Sequence, residues 1–457
     1  GLTCVDPIVV AIQLEPSAAW PDDLAAIRKL KAAFYIKVAE GLRKKHGHVC
    51  TPTPQWVDVQ LKREGFVFRF FIHQQKEIAL MAKAEEAVDD KAALPERVLQ
   101  AAQHAGRMHG FSHRHTSYPM ATRLAKLWVH SHMFSGYLAD VRCTHLPSPP
   151  PFMRVADSTS RHEQEIIELL VAHAYTNPRP FEEPHNHVAG FLRFLHLLST
   201  FNWEETALVV DIDGEFDYDD HQHIQATYER LRSLQRAAKE RGTKIKETAL
   251  YISTPSDKYG RLTRHSPTPL IFKRVVAYAQ QSYRILRELV ENPFTAEAKW
   301  RALFVTPLTP YDVLIHLESA VGAKGGASSK YKNLQLPTKQ PVYVGLDLVE
   351  NYLSELRARF GHLALFFHNA LEGRVIGVVW KPGTFAPKPF KVLHTEFAVP
   401  VSLLPADSPL VKKLNIQASD ASNTKSKVPQ VVTNIFELLH DFAAMGEGLV
   451  RDVQPNL

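Results

Sequence analysis

The stretch GFLRFLHLLSTFNWEETALVVDIDG, from Gly190 to Gly214, decides how the chain is interpreted because it contains the pattern of a catalytic metal site. A strand that ends in ALVVDID places Asp211 and Asp213 on one face, since side chains alternate along a strand. Two such carboxylates can hold a pair of Mg²⁺ ions against a nucleoside triphosphate. The stretch therefore raises the hypothesis of an active nucleotidyltransferase that uses Asp211 and Asp213.

The same stretch lacks the glycine turn that such a site needs. A glycine turn upstream of the carboxylates would bring backbone N–H groups close to the phosphates. That position holds Leu198 to Asn202, and no glycine lies between Gly190 and Gly214. An EF-hand is excluded because Phe216 stands where that loop requires glycine. We favour the alternative that the acids form a polar loop after a buried strand. The acids concerned are Asp211, Asp213, Asp217, Asp219 and Asp220.

Four long segments of mixed composition resemble one known family. They are HTSYPMATRLAKLWVHSHMFSGYL (His115 to Leu138), GFLRFLHLLSTFNW (Gly190 to Trp203), LFVTPLTPYDVLIHL (Leu303 to Leu317) and LALFFHNALEGRVIGVVWKP (Leu363 to Pro382). In this order, and within a likeness that runs from Gln13 to Val453, they resemble the nucleolar RNA-associated protein (Nrap) family. The yeast members of that family belong to the UTP-C group of the small-subunit processome. The resemblance implies that the chain corresponds to the C-terminal part of such a protein.

Composition indicates a large protein with a mild basic excess. The 457 residues are 45% hydrophobic and 22% charged, enough for several cores and about three domains. No apolar run approaches the ~20 residues of a membrane-spanning helix, and we expect no signal peptide at Gly1. Cys4, Cys50 and Cys143 are too scattered for a disulfide framework, which favours a reducing compartment. The net charge of +6 and pI near 9.0 favour polyanions as ligands.

We expect an α/β and α+β multidomain chain with three domains. Residues 1–111 are predicted to form a partial, inactive nucleotidyltransferase-like domain, residues 112–320 a helical domain, and residues 331–457 a C-terminal α+β domain. A linker rich in glycine, serine and lysine, Val321 to Lys330, precedes the third domain. The resemblance implies that residues 112–320 are similar to the helical domain of poly(A) polymerases and oligoadenylate synthetases. Asp211 and Asp213 then fall outside the nucleotidyltransferase-like repeat.

The first domain is expected to combine a helix with a hairpin of two strands. Trp20 to Asp23 is a helix start signal, and we expect a packed apolar face and exposed cations after it, Lys31 among them. The apolar face comprises Ile27, Leu30, Phe34, Val38 and Leu42. Strands are predicted at Trp56 to Leu61 and Phe66 to Ile72, joined by the turn 62–65. Asp58 is their only carboxylate, and one carboxylate does not hold two metal ions. The resemblance therefore implies a degenerate nucleotidyltransferase fold.

Helices and strands of the other domains follow from apolar patterns. Ser117 to Leu138 and Gly190 to Thr200 predict two helices that share a core, because neither would be stable alone in water. The third domain is predicted to contain strands at Leu363 to His368 and Arg374 to Trp380, and a helix from Val431 to Gly446.

Histidine is abundant, at 23 residues, but no metal or catalytic motif accompanies it. A zinc site needs a third and fourth ligand at suitable spacing, and none accompanies the pairs. These pairs are His46/His48, His113/His115, His130/His132, His185/His187 and His221/His223. The HExxH pattern fails at Ile166, and neither a nucleophile elbow nor a P-loop is present. We expect no catalytic residue, no metal and no cofactor.

Several clusters of cations near aromatic residues predict contact with RNA, since cations bind phosphates and aromatic rings stack on bases. A solvated surface is the alternative for each cluster. The predicted RNA-binding residues are Arg230, Arg232, Arg236, Lys239, Arg241, Lys258, Tyr259, Arg261, Arg264, Lys273 and Arg274.

The resemblance implies a non-catalytic assembly factor of the nucleus and nucleolus, a scaffold in small-subunit biogenesis and pre-rRNA processing. Implied partners are pre-ribosomal RNA, a small RNA-binding protein of the UTP-C group and other processome proteins, with casein kinase 2 as a further candidate and no membrane. Two alternatives stay open: an active nucleotidyltransferase that uses Asp211 and Asp213, and a protein scaffold without RNA contact.

Overall fold

The computed structural model describes most of the chain and divides it into two compact units. The described residues are 3–5, 7–14, 20–61, 66–74, 76–77, 80, 94–135, 138, 165–242, 247–263, 267–292, 300–318, 342–344, 347–371, 373–390, 397–400 and 430–456. The first unit comprises residues 1–126, 143–288 and 324–346, and the second comprises residues 127–142, 289–323 and 347–457. The predicted turn 62–65 and the linker 321–330 lie outside the described residues.

Helices and strands both contribute to the described part of the chain, as predicted. The helices are α1 (Leu24–His46), α2 (Leu94–Arg114), α3 (Tyr118–Ser131), α4 (Glu165–Thr176), α5 (His187–Thr200), α6 (Tyr218–Glu240), α7 (Pro269–Glu291), α8 (Leu348–Phe360) and α9 (Ile435–Met445). The strands are β1 (Thr3–Val5), β2 (Ile8–Gln13), β3 (Val49–Pro52), β4 (Val57–Gln60), β5 (Val67–His73), β6 (Leu208–Val209), β7 (Ile252–Ser253), β8 (Val313–Leu317), β9 (Val342–Val344), β10 (Ala364–His368), β11 (Val375–Trp380), β12 (Lys388–Pro389), β13 (Ala398–Pro400), β14 (Gln430–Thr433) and β15 (Val450–Pro455).

A four-stranded sheet in the order β2-β5-β4-β3 packs against α1 in the first unit. β2 and β5 run parallel, whereas β5-β4 and β4-β3 are antiparallel, which confirms the predicted hairpin. The α1 helix begins where the sequence predicts, because the Asp23 side chain accepts a hydrogen bond from the Ala26 amide. It ends at Gly47, whose left-handed backbone (φ 66°) favours glycine.

The buried face of α1 differs from the predicted one. Ile27, Lys31, Tyr35 and Ala39 are buried, whereas Leu30 and Phe34 are 36% and 38% exposed. The expectation that Lys31 is exposed is therefore wrong. Its ammonium donates a 2.7 Å hydrogen bond to the buried carboxylate of Glu77, and this charge pairing makes burial of a cation tolerable.

Helices α3, α4 and α5 approach closely at Gly190. A Cβ atom at this position would lie 2.8 Å from the Ala121 Cβ and would also collide with the Tyr175 hydroxyl, so only glycine fits here. This contact confirms that the two predicted apolar helices pack together. The first of them is shorter than predicted, since α3 ends at Ser131.

A second four-stranded sheet, β10-β11-β8-β15, is antiparallel throughout and forms the core of the second unit with α8 and α9. Its β10-β11 hairpin matches the sequence prediction. Strand β8 pairs with β11 and β15, so it belongs with the C-terminal sheet and not with the predicted domain 112–320. The predicted helix Val431 to Gly446 is also corrected, because residues Gln430–Thr433 form β14 and the Asn434 side chain caps α9.

The remaining strands form small sheets. β14 lies between β12 and β13 in the second unit, and β1 pairs with β9 and β6 with β7 in the first. No helix among the described residues has both the length and the apolar composition needed to cross a membrane.

Candidate nucleic-acid interface

The carboxylate of Asp58, on strand β4, is committed to an internal ion pair. Asp58 lies directly opposite Arg69, whose Nε and Nη2 donate hydrogen bonds of 2.7 and 2.8 Å to its two carboxylate oxygens. The Arg69 guanidinium also lies 4.6 Å from the centre of the Trp56 ring. Both side chains are largely buried, so the acid stabilises the hairpin instead of facing a metal ion.

The acids after β6 have partners within the protein, either in their own loop or on α2. Because β6 ends at Val209, the prediction that one strand carries Asp211 and Asp213 on a common face is wrong. The two carboxylate oxygens of Asp211 accept the amides of Glu215 and Phe216 at 3.0 and 2.9 Å. Asp213 accepts a 2.6 Å hydrogen bond from Arg114. The structure thus matches the polar-loop alternative.

The loop ends at Asp217, whose side chain caps the N-terminus of α6. The Asp217 side chain accepts a 2.7 Å hydrogen bond from the Asp220 amide, and it thereby begins α6. Asp219 and Asp220 lie in the first turn, where their charge stabilises the positive end of the helix. Among the described residues, no three His, Cys, Asp or Glu side chains come together as a metal site.

Helix α6 and its C-terminal cap carry five of the ten predicted RNA-binding cations. It buries Ile224, Tyr228, Gln235 and Ala238, and the opposite side faces solvent. Four of the predicted cations are exposed: Arg230, Arg236, Lys239 and Arg241. Lys239 lies 3.9 Å from Glu247, and both groups are well exposed, so this pair binds weakly.

Arg232 differs from the other cations of α6 because its guanidinium is bound within the protein. Its Nε donates a 2.7 Å hydrogen bond to the Tyr228 hydroxyl, and its Nη2 donates a 2.9 Å hydrogen bond to the Trp203 carbonyl. Its Nη1 donates to the Thr248 carbonyl. These contacts occupy much of the donor capacity of the side chain. The structure therefore gives Arg232 a role in joining α6 to two neighbouring loops.

Exposed side chains align along one edge of α6. Positions 223, 230, 234 and 241 are separated by seven, four and seven residues, so they share a side of the helix. We call His223, Arg230, Leu234 and Arg241 the α6 edge. Leu234 is 57% exposed, and the edge extends for about 27 Å at 1.5 Å per residue.

An exposed aromatic ring meets the beginning of the α6 edge. The ring of Tyr259, 57% exposed, lies 6.5 Å from the ring of His223. The neighbouring Lys258 donates a 2.6 Å hydrogen bond to Asp220, and this bond raises the pKa of the lysine. The loop after β7 thus brings Lys258 and Tyr259 to the first turns of α6.

The other predicted residues are less closely grouped. Lys273 and Arg274 lie on α7; Lys273 is exposed, and Arg274 donates a 3.3 Å hydrogen bond to Tyr278. Arg261 begins a short 3₁₀ turn, and Arg264 lies outside the described residues. Sequence reasoning missed His223, although its spacing of seven residues from Arg230 could have revealed the shared edge.

The described part of the chain is a mixed helix-and-strand architecture in which Asp58 and Asp213 are paired internally, and the family models place it in a class with nucleotidyltransferase-like domains. Three family models match in succession: "Nrap protein nucleotidyltransferase domain 4" over residues 2–122, "Nrap protein PAP/OAS1-like domain 5" over residues 156–306, and "Nrap protein domain 6" over residues 308–453. The chain belongs to the Nrap family. The second model contains Asp211 and Asp213, in agreement with the expectation that they lie outside the nucleotidyltransferase-like repeat.

Similar proteins are longer than this chain. Nucleolar protein 6 of Xenopus tropicalis is 30% identical over 475 residues, a match that covers 98% of this chain and 36% of that protein. U3 small nucleolar RNA-associated protein 22 of Schizosaccharomyces pombe is 28% identical over 414 residues, covering 85% of this chain and 34% of that protein. The chain therefore spans about a third of the length of these curated relatives.

A solved structure of the E. coli MS115-1 CdnC:HORMA-deltaN complex covers 66% of this chain and 76% of its own, at 14% identity and a TM-score of 0.31. A likeness of that degree carries no argument about function.

Proposed function

We propose that this chain is a non-catalytic part of a nucleolar assembly factor that acts in small ribosomal subunit biogenesis and pre-rRNA processing. Family membership supports the proposal, because relatives carry the names Nucleolar protein 6 and U3 small nucleolar RNA-associated protein 22. In this proposal the three predicted domains, 1–111, 112–320 and 331–457, with strand β8 assigned to the third, serve as a scaffold whose nucleotidyltransferase-like fold is retained without its chemistry.

The internal use of the acidic side chains carries the non-catalytic part of the proposal. Asp58 is paired with Arg69, Asp213 with Arg114, and Asp211 accepts two backbone amides. A two-metal mechanism needs carboxylates that are free to bind Mg²⁺ and triphosphate together. These contacts weigh against the alternative of an active enzyme that uses Asp211 and Asp213.

RNA is the proposed ligand of the α6 edge together with Lys258 and Tyr259. The edge supplies two exposed guanidinium groups and Tyr259 adds an exposed phenol ring, a combination that suits phosphates and unpaired bases. Arg236, Lys239, Arg261, Arg264, Lys273 and Arg274 remain proposed contacts around it. Pre-ribosomal RNA is the proposed RNA, and a UTP-C RNA-binding protein, other processome proteins and casein kinase 2 are proposed protein partners.

A primer-extension assay tests the proposed lack of catalysis. The chain is incubated with Mg²⁺, each labelled nucleoside triphosphate and an RNA primer, and no extended product is expected. Extension that disappears in the Asp211→Ala variant but persists in Asp219→Ala, a nearby acid in the first turn of α6, would establish the active-enzyme alternative instead.

A further inference from the structure

A cleft of about 430 Å³ opens beside the loop that contains Asp211. His173, Asn177, Phe201 and His221 also line it, and β6 contributes Val209. This volume lies at the small end of the ~300–1,000 Å³ range of ligand pockets. The whole lining belongs to the first unit. Nothing in the proposed scaffold role or in the RNA-binding edge uses this cleft.

The two histidines of the cleft are held in the same tautomer. His173 Nδ1 lies 3.1 Å from the Val209 carbonyl oxygen, and His221 Nδ1 lies 2.7 Å from the Asp217 carbonyl oxygen. Because a carbonyl oxygen only accepts, each Nδ1 carries a proton, and Nε2 is the acceptor of the ring in its neutral form. Burial lowers the pKa of His173, which keeps that ring neutral.

The polar lining of the cleft favours a ligand that donates hydrogen bonds. Each carboxylate oxygen of Asp211 accepts one backbone amide and retains a second lone-pair position. Among the described residues, the lining includes neither lysine nor arginine, so a phosphate group would find a carboxylate without a cation beside it. Phe201 adds an aromatic ring, the kind of surface on which a flat base stacks.

We infer that this cleft binds a nucleobase that carries an exocyclic amino group, with Asp211 and the two histidines accepting from the base and Phe201 stacking on it. Adenine, cytosine and guanine have such an amino group, and uracil has none. Their amino hydrogens supply donors at the base edge, which an acceptor-rich lining needs. Uracil should therefore bind more weakly.

The cleft adjoins the α6 edge, which suggests where the base comes from. The rings of His221 and Phe216 are 5.7 Å apart, and the Lys258 ammonium lies 5.6 Å from the Phe216 ring. Tyr259 follows Lys258 and contacts His223, the first residue of the α6 edge. A single strand on that edge could insert one unstacked base into the cleft. This source of the base rests on the proposed function, whereas the base site itself does not.

Binding of free nucleosides tests the base site. Saturation-transfer NMR with the full chain should detect adenosine, guanosine and cytidine, and uridine more weakly. Asn177→Trp fills the exposed rim of the cleft and should abolish the signals. Phe201→Leu should weaken binding about tenfold through loss of stacking. Ala443→Trp, at an exposed position of α9, is the matched control and should bind as the unmodified chain does.

A short RNA with one central 2-aminopurine tests whether the base comes from a strand. Its fluorescence should rise on binding to the unmodified chain, because entry into the cleft removes its neighbours from the stack. No such rise should occur with Asn177→Trp, although this variant should still bind the RNA. Arg230→Ala with Arg241→Ala should weaken RNA binding and leave nucleoside binding unchanged.

Each outcome decides one part of the inference. Nucleoside signals that survive in Asn177→Trp, with its thermal midpoint unchanged, would overturn the base site. Nucleoside binding without a 2-aminopurine response would overturn the strand as the source and assign the cleft to free nucleotides. An RNA affinity that is unchanged in the variant with both Arg230→Ala and Arg241→Ala would overturn the proposed RNA-binding edge and leave the base site intact.

Discussion

At the residue scale, the same acids that suggest catalysis in the sequence have structural partners. Asp58 and Asp213 pair with arginines, and Asp211 fixes the loop after β6. The pattern of the sequence identified Asp58 as a lone acid, but it could not identify Arg69 as its partner without the register of the hairpin. Arg232 is the opposite case. Its position on a basic helix predicted contact with RNA, whereas the structure shows hydrogen bonds from its guanidinium to two loops.

Loss of the buried ion pair should be costly. Asp58→Asn leaves the Arg69 charge without its counter-ion, and we expect unfolding free energy to fall by about 3–5 kcal/mol. Asp213→Asn removes an exposed pair and should cost less than about 1 kcal/mol. Urea titrations of the two variants measure the difference. Equal, small losses would show that Asp58 contributes no more than a surface acid does.

Substitutions of Arg232 and Arg236 should differ in their effect on stability, because only Arg232 is bound within the protein. Arg232→Met removes several hydrogen bonds from a charged donor, and we expect it to lower the unfolding free energy by about 1.5–3 kcal/mol. Arg236→Met changes an exposed residue of the same helix and should stay within about 0.5 kcal/mol. A denaturant titration that found both variants equally stable would contradict the role assigned to Arg232.

Acidification should destabilise the first unit through His173. Burial lowers the pKa of His173 below its usual 6.5 in the folded state, so the unfolded chain binds a proton more readily. The contribution of His173 to stability is complete above pH 6.5 and declines as the pH falls toward the lower folded value. Melting curves between pH 8 and 5 should show a smaller decline in His173→Gln than in His185→Gln, an exposed control. An identical decline in both variants would contradict this explanation.

At the scale of elements, the start of α1 and both strand hairpins were predictable, because capping residues and alternation are local. Asp23 marks the start of α1, and both hairpins follow from alternating apolar residues. The buried face of α1 was not predictable, since it depends on Glu77, which is 46 residues from Lys31. The sheet to which β8 belongs was likewise not predictable, because it is determined by pairing with β11 and β15, which lie far along the chain.

Replacing glycine by alanine should change stability in opposite directions at Gly190, where α3 and α5 approach closely, and at Gly106, where there is open space. Gly190→Ala would place a Cβ against Ala121 and Tyr175 and should cost about 1–3 kcal/mol through overpacking. Gly106→Ala on α2 meets no atom within 4 Å and should stabilise the chain by about 0.5–1 kcal/mol. Thermal unfolding distinguishes them, and a neutral Gly190→Ala would contradict the close packing.

At the scale of the whole molecule, the family likeness predicted the class of fold, and residue patterns predicted the exposed cations. The cleft beside Asp211 was not predictable, because its lining comes from α4, α6, β6 and three loops that only the fold assembles. The same holds for the meeting of Tyr259 with His223, which joins two segments 36 residues apart. The account therefore depends most on whether the α6 edge contacts RNA.

The salt dependence of RNA affinity tests this central claim most directly. Contacts with phosphates release counter-ions, so log affinity should fall linearly with log salt concentration. The Arg230→Ala, Arg241→Ala double variant should bind every single-stranded RNA more weakly and reduce the slope by about 1.4, since each lost phosphate contact removes about 0.7. Arg232 must be left intact, because its loss would disturb folding. A correctly folded double variant with an unchanged slope would contradict the account and favour a scaffold that binds proteins only.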